Sequence, residues 1–227
     1  MVLWLVINFS LLIAGYLFGS IPTGYIVARK QLGIDIREEG SGSTGATNVL
    51  RTVGKGAALF VFLVDVSKGI AAIALVRALY SWPAMTQLAP PTVDPSIWVY
   101  WMAMVAGIAA LVGHTKSVWI EFRGGKAVAT SLGVLLALCW PVALLTFSVF
   151  GIMLSISRIV SLSSMSGAIA LPAVMFLMNQ PLPYLLFGFC AGFYVIWLHR
   201  SNIGRLMAGT EPRIGQKLQQ QSESLQS

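Results

Sequence analysis

Charged residues are scarce in this sequence. Only 10% of its 227 residues are Asp, Glu, Lys or Arg, and 56% are hydrophobic, whereas soluble domains usually carry about 25% charged residues. A water-soluble fold of this size cannot bury so much apolar surface, so a soluble enzyme is excluded. The length instead suits one bundle of membrane helices, each of which needs about 20 apolar residues.

Cysteine is also scarce, and several catalytic patterns are missing. Cys139 and Cys190 lie in apolar stretches without a CxxC motif or a Cys/His cluster, which argues against a metal site and a disulfide framework. The sequence has no G-x-S-x-G nucleophile elbow, no H-x-x-x-x-D motif and no pair of carboxylates placed for acid–base work. Any chemistry must therefore rely on positioning and charge neutralisation.

Seven apolar segments predict seven membrane spans. The fourth and fifth are short and are separated by Cys139, Trp140 and Pro141, so they could form a tight hairpin or one broken helix. Proline removes a backbone donor and disfavours helix in the preceding residue, which favours a break. With two spans counted there, the fold is an all-α seven-helix bundle whose spans cover residues 3–28, 56–80, 97–114, 126–139, 141–157, 160–178 and 183–198.

The positions of Lys and Arg predict the orientation of this bundle. Thirteen of the fifteen lie in alternate connections and in the C-terminal tail, while Lys68 and Arg77 lie inside the second span. Because cytoplasmic connections are enriched in Lys and Arg, we expect the N-terminus outside and the C-terminus in the cytoplasm. The net charge of +7 reflects this bias rather than nucleic-acid binding. Residues 1–211 form one membrane domain, and 212–227 are predicted to be a disordered cytoplasmic tail.

The first polar segment, GSGSTGATNVLR (40–51), predicts an anion-binding loop. Backbone N–H groups and hydroxyls of such a run can surround a phosphate, and Arg51 can bind it through two parallel hydrogen bonds. The segment also matches the G-x-G-x-x-G dinucleotide fingerprint with Asp65 downstream, but a membrane span follows it, so no βαβ unit can form. A flexible interhelical loop is the other alternative. The candidate phosphate-binding residues are Gly40, Ser41, Gly42, Ser43, Thr47, Asn48 and Arg51.

The second polar segment, GHTKSVWIEFRGGKAVAT (113–130), places Gly124, Gly125 and Lys126 at the start of the fourth span. A helix N-terminus with free N–H groups beside a Lys is a natural phosphate site. The alternative is a basic loop that only follows the positive-inside rule.

The third polar segment, HRSNIGRLMAGTE (199–211), follows the last span. His199 and Asn202 are three residues apart and share a helix face, whereas Arg200 and Arg205 could be snorkelling cations that end the span. Ser161 lies at the cytoplasmic end of the sixth span.

Two charged residues lie one helical turn apart inside the second span, Asp65 and Lys68. Intramembrane charges are often functional. We nevertheless expect these two to pair inside the bundle in a structural role.

Together these segments resemble the bacterial acyl-phosphate:glycerol-3-phosphate acyltransferases, the PlsY family. The order and spacing of the matching stretches hold from end to end, which makes the resemblance far more specific than any single motif. The stretches are GSIPTGYIVAR (19–29), GSGSTGATNVLR (40–51), FLVDVSKG (62–69), GH (113–114), FRGGKAVAT (122–130), VSL (160–162) and HRSNIGRLMAGTE (199–211).

The resemblance implies an enzyme of the bacterial plasma (inner) membrane, with three motif loops and an active site facing the cytoplasm. It would transfer an acyl group from acyl-phosphate to glycerol 3-phosphate, giving lysophosphatidic acid, without a metal or nucleotide cofactor. The bilayer and the soluble enzyme that produces acyl-phosphate are the implied partners. The implied catalytic residues are Ser41, Arg51, Lys126, His199 and Asn202; Gly40, Gly42, Ser43, Thr47, Asn48, Gly124, Gly125 and Ser161 would bind phosphate, and Glu211 would be structural.

Three positions depart from the family pattern. Ser43 stands where many members have Asn, Ser117 where Pro is frequent, and Ala127 where a Gly follows the motif Lys. The added methyl of Ala127 restricts the backbone where a phosphate could approach.

The sequence leaves two questions with alternatives: which group accepts the proton, and whether the protein is an enzyme or a transporter. Neighbouring cations lower the pKa of a His, so we expect a phosphate oxygen of the substrate to take the proton, with His199 orienting a reactant. The rival function is a transporter of organic phosphates, which would need polar groups through the midplane. The predicted outer connections carry only Asp94 as a charged residue.

Overall fold

Helices account for most of residues 1–215, the part of the chain that the computed structural model describes, and no strand occurs among them. The all-α architecture is the one predicted. Most of the predicted tail, 212–227, lies outside the described residues. The helices are α1 (Val2–Ser20), α2 (Thr23–Leu32), α3 (Ala46–Thr52), α4 (Lys55–Tyr80), α5 (Pro83–Leu88), α6 (Pro95–Thr115), α7 (Val128–Ser157), α8 (Val160–Leu177), α9 (Leu182–Leu198) and α10 (Arg200–Met207), with a 3-10 turn at Val118–Ile120.

The described residues offer five or six candidate membrane spans, where the sequence predicted seven. The helix pair α9 and α10, bent by 56°, makes the sixth if it counts as one span. The difference from seven arises at α7, whose two legs, corresponding to the predicted fourth and fifth spans, are counted as one helix, and at α9, which has only 17 residues. The five longer stretches are Val2–Leu32, Lys55–Tyr80, Pro95–Ile120, Val128–Ser157 and Val160–Leu177.

Helix α7 contains the break that the sequence predicted near Pro141. Cys139 has non-helical backbone angles, φ −158° and ψ 97°. Lys126, just before α7, donates to Asn202, and Asn202 shares the carboxylate of Glu211 with Ser161, just after α7. A straight 30-residue helix would be about 45 Å long, so its two ends could not meet at one carboxylate. The chain therefore turns back near Cys139, as in the hairpin alternative.

Small residues bring the helix backbones close together. A Cβ added to Gly19 in α1 would overlap the carbonyl oxygen of Ala110 in α6, and one added to Gly133 in α7 would overlap that of Val66 in α4. Glycines at such crossings let membrane helices pack closely. The close packing of α4 on α7 fixes where the loops before these two helices meet.

The interhelical contacts separate the molecule into two ends. At one end the rings of Trp4 and Trp98 lie 5.5 Å apart, which places the start of α1 beside the start of α6. At the other end Arg37 donates to the carbonyl oxygen of Ile120 at 3.0 Å. This second end collects the segments that carry most of the Lys and Arg, namely 33–54, 116–127, 158–159 and 199–215.

Candidate active site

All five residues predicted to be catalytic line one cavity of about 450 Å³ at the cation-rich end: Ser41, Arg51, Lys126, His199 and Asn202. Its lining also includes further predicted residues, namely Ser43, Thr47, Asn48, Asp65, Ser161 and Glu211. The predicted Gly40, Gly42, Gly124, Gly125 and Lys68 do not line the cavity.

One wall of the cavity is apolar. It is formed by Leu59 and Phe62 of α4 and by Phe147 and Phe150 of the second leg of α7. Phe147 and Phe150 also border a smaller, almost entirely apolar cavity of about 40 Å³ between α7, α8 and α9. The site therefore joins a polar, cationic wall to an apolar wall that continues between the helices.

Asn48 organises the first loop. Its amide nitrogen donates to the carbonyl oxygens of Ile36, Glu39 and Ser43 at 2.9–3.1 Å, and its side-chain oxygen accepts from the backbone N–H of Ser41 at 2.9 Å. We predicted phosphate contacts for Asn48 and for the loop N–H groups. These hydrogen bonds instead indicate a positioning role for Asn48, and they occupy the N–H of Ser41.

Two glycines give this loop its shape. Gly40 and Gly42 have φ of +58° and +67°, in the left-handed region where a side chain would be strained. A Cβ at Gly40 would also overlap the side-chain oxygen of Asn48. Ser41, Ser43 and Thr47 reach the cavity lining from this loop.

Glu211 is the centre of a hydrogen-bond network. One carboxylate oxygen accepts from the hydroxyl of Ser161 at 2.7 Å and from the amide of Asn202 at 2.6 Å, and the other accepts from Nε of Arg205 at 2.7 Å. Burial raises the pKa of Glu211, but these hydrogen bonds and the charge of Arg205 outweigh it, so the pKa lies below its usual value. The contacts fit the structural role predicted for Glu211, and they commit the hydroxyl of Ser161 to it.

Lys126 connects this network to the second loop. Its ammonium group donates to the side-chain oxygen of Asn202. Burial, followed by the charge of Arg205, lowers the pKa of Lys126 to about 8. The amine is thus held near the cavity by a neutral partner, and its charge is not cancelled by a direct ion pair.

His199 has a defined tautomer. Its Nδ1 lies 2.7 Å from the carbonyl oxygen of Val195, which can only accept, so Nδ1 carries the proton and Nε2 is a free acceptor in the neutral ring. Burial, assisted by the charge of Lys126, lowers the pKa of His199 to about 4. The sequence predicted a lowered pKa of His199 from neighbouring cations, whereas burial is its main cause. The adjacent cation Arg200 lies over the ring of Trp197.

The second loop is packed against the end of α6. The N–H of Gly125 donates to the carbonyl oxygen of His114 at 3.2 Å, so it is not free to bind an anion as predicted. Ala127 has φ +59° and precedes α7, and the first α7 residues, Val128 and Ala129, line the cavity. The departure at Ala127 therefore lies at a residue whose left-handed backbone would favour glycine.

Asp65 and Lys68 pair inside the bundle, as predicted. Lys68 Nζ lies 2.8 Å from Asp65 Oδ1, with both side chains almost fully buried. Lys68 also donates to the carbonyl oxygen of Ile21 at 3.1 Å, between α1 and α2. Burying a pair costs desolvation that the mutual attraction must offset, and the extra hydrogen bond helps to do so.

Across residues 1–215, no group of three or more His, Cys, Asp and Glu side chains is placed to hold a metal ion.

The chain is similar to known proteins over nearly its whole length. A family model described as Glycerol-3-phosphate acyltransferase matches residues 9–209. Proteins named glycerol-3-phosphate acyltransferase from Trichormus variabilis and Acaryochloris marina are 57% and 54% identical over 221 and 217 residues, which cover 97% and 96% of this chain and 98% and 96% of theirs.

Two solved structures share its fold. They are crystal structures of PlsY, an integral membrane glycerol 3-phosphate acyltransferase, in a glycerol 3-phosphate form and a lysophosphatidic acid form. Both are 35% identical to this chain and cover 92% of it, with 96% and 95% of their own chains covered, and their TM-scores are 0.80 and 0.75.

Proposed function

The chain belongs to the glycerol-3-phosphate acyltransferase family, and from that premise we propose that it transfers an acyl group from an acyl-phosphate to glycerol 3-phosphate. The products are lysophosphatidic acid and phosphate, in the first acylation of phospholipid biosynthesis. The observation that carries the proposal is that one cavity has three cations, Arg51, Lys55 and Lys126, and an apolar wall in its lining. Such a cavity suits a donor with an acyl chain and a charged head.

Catalysis in this proposal rests on positioning. The hydroxyl oxygen of glycerol 3-phosphate attacks the acyl carbonyl carbon, forming the ester bond, while the bond from that carbon to the phosphate oxygen breaks. Holding two reactants in register can supply several kcal/mol, and fixed cations stabilise charge that develops in the transition state. Arg51 and Lys126 supply that charge. The apolar wall, which includes Phe62 and Phe150, holds the acyl chain.

The attacking hydroxyl gives its proton to the leaving phosphate. With a pKa of about 4, His199 is a poor proton acceptor near neutral pH. Its unprotonated Nε2 is suited to accept a hydrogen bond from the hydroxyl and so to direct it at the carbonyl. His199 is thus an orienting group, and a phosphate oxygen is the base.

The membrane arrangement forms part of the same proposal. The protein lies in the bacterial plasma membrane with its cation-rich end in the cytoplasm, where glycerol 3-phosphate and the enzyme that produces acyl-phosphate are located. Seven spans result when the two legs of α7 are counted separately and α9 is counted as one. The N-terminus is then outside.

An assay in nanodiscs tests the proposed reaction. Purified protein is incubated with palmitoyl-phosphate and labelled glycerol 3-phosphate, and lysophosphatidic acid is measured by thin-layer chromatography. Palmitoyl-CoA and palmitoyl-acyl carrier protein serve as parallel donors, and Arg51→Gln as the inactive control. Product from palmitoyl-phosphate alone supports the proposal. Equal product from the CoA thioester would refute the donor, and no product from any donor would leave transport of organic phosphates as the better explanation.

A further inference from the structure

His114, in the last turn of α6, is a buried titratable residue that the proposed reaction does not use. Only 6% of its surface is exposed, and its Nδ1 has no hydrogen-bond partner. Leaving a buried polar nitrogen unpaired is destabilising. His114 lines the cavity although its unpaired nitrogen destabilises the fold, which indicates a functional role.

The imidazole is enclosed between α4 and the second loop. On one side Nδ1 lies 3.7 Å from Oδ1 of Asp65, which is slightly too long for a hydrogen bond, and Asp65 is itself held by Lys68. On the other side the ring supports the backbone of Gly125, where an added Cβ would overlap Nε2. An added Cβ at Gly124 would overlap the His114 carbonyl oxygen.

The main chain reinforces this contact. The N–H of Gly125 donates to the His114 carbonyl oxygen at 3.2 Å, so the backbone and the ring of one residue hold the same glycine. Lys126 follows directly, and its ammonium group reaches Asn202 in the cavity. A displacement of the ring would move the loop and, with it, the amine of Lys126.

We propose that His114 is a positioning residue for the loop Gly124–Lys126, in which Asp65 orients the imidazole and the imidazole sets the position of Lys126. The inference rests on the proposed function only in that Lys126 binds a substrate phosphate. Catalytic hydrogen bonds are often long without substrate and tighten in the complex, so a small movement of the loop closes the gap between Nδ1 and Asp65.

A matched pair of variants tests the contact with Asp65. His114→Asn keeps a donor at the position of Nδ1, and His114→Leu has nearly the same size without the donor. We expect His114→Leu to lose at least tenfold in kcat/KM in nanodiscs. His114→Asn keeps the donor but loses the ring contact with Gly125, so its loss should be intermediate, at least about threefold smaller than that of His114→Leu, with both variants unfolding within a few degrees of the unchanged protein. Equal activities in the two variants, or losses that follow the unfolding temperatures, would overturn the proposal.

A second pair tests the contact between the ring and the loop. Gly125→Ala introduces a Cβ that meets Nε2 of His114, whereas the shorter side chain in His114→Asn lacks the outer ring atoms. Adding His114→Asn to Gly125→Ala should therefore restore at least part of the lost activity. No recovery in the double variant would contradict the packing role.

A binding measurement separates this inference from the proposed reaction. The dissociation constant of glycerol 3-phosphate, measured by calorimetry, needs no turnover. If the unchanged protein makes no lysophosphatidic acid, the proposed function fails, yet weaker binding in His114→Leu than in His114→Asn would still support the positioning role. Equal dissociation constants together with equal rates would refute it.

Discussion

His199 and Asn48 differ in how much hydrogen-bond capacity they leave for a substrate. Both donors and the acceptor of the Asn48 amide are bound to backbone groups of the first loop. The His199 ring uses only Nδ1, for the carbonyl oxygen of Val195, and leaves Nε2 as an acceptor. A group without spare capacity can position a loop, but only a group with spare capacity can act on a reactant.

The acceptor role of His199 predicts an order among its variants. His199→Gln can place an acceptor where Nε2 lies and should retain activity within about tenfold. His199→Asn can keep the bond to Val195 but does not reach that position, so it should be slower than His199→Gln. The measurement is kcat/KM between pH 5 and 9. Loss of all activity in both variants, together with a wild-type limb near pH 6.5 that only His199 explains, would make His199 the base.

Lys126 predicts a second pH dependence. Its pKa is about 8, so the amine is a cation below that pH and neutral above it, and a neutral amine cannot balance a phosphate charge. We expect kcat/KM, which reports groups of the free enzyme, to fall as the pH rises through about 8. Lys126→Arg keeps its charge throughout this range and is the control. The same limb in an active Lys126→Arg variant would assign it to another group.

The sequence predicted which residue types converge, but not which of them face the substrate. Arg51, Lys126 and His199 were found because they follow glycine-rich or span-ending patterns. The part played by Asn48 depends on the left-handed backbone of Gly40, and that of His114 depends on how α6 meets Gly125. Hydrogen-bond direction and burial of this kind come from tertiary packing, which a single sequence does not contain.

At the scale of the element, the sequence predicted that helices break but not the geometry of the breaks. Pro141 predicted an interruption of α7, and the non-helical residue is Cys139. Whether the two legs form a hairpin could not be read from the sequence, because the reversal is visible only where Lys126 and Ser161 meet the same network. The first span was likewise predicted as one stretch, 3–28, whereas in the structure α1 ends at Ser20.

The crossing of α4 and α7 predicts a contrast between two glycines of α7. A Cβ at Gly133 would overlap the carbonyl oxygen of Val66, whereas nothing lies within 4 Å of a Cβ at Gly151. Gly133→Ala should destabilise the protein, since overpacking costs about 1–3 kcal/mol. Gly151→Ala should be neutral or slightly stabilising, because Ala favours a helix by about 0.5–1 kcal/mol over Gly.

Thermal unfolding in detergent measures this contrast. The two variants add the same methyl group to the same helix, so the difference between their unfolding temperatures isolates the crossing. Equal unfolding temperatures would mean that the close packing of α4 on α7 does not contribute to the stability of the protein.

At the scale of the whole molecule, charge and apolar surface are arranged for substrates that meet at an interface. The acyl chain of the proposed donor belongs in the bilayer, and glycerol 3-phosphate belongs in water. The cavity lies at the cation-rich end and has both an apolar wall and a cationic one. Arg77, nearer the other end, is bound to the Leu138 carbonyl oxygen and to Tyr184, so it does not extend the cationic path across the molecule.

This one-sided arrangement predicts the orientation in the cell. Gln31 lies at the cation-rich end and Thr92 at the opposite end, and both are exposed. In a background in which Cys139 and Cys190 are replaced by alanine, Thr92→Cys should react with an impermeant maleimide in intact spheroplasts. Gln31→Cys should react only after permeabilisation, because positively charged connections stay in the cytoplasm. The reverse pattern would place the cavity outside, away from cytoplasmic glycerol 3-phosphate, and would contradict both the orientation and the proposed reaction.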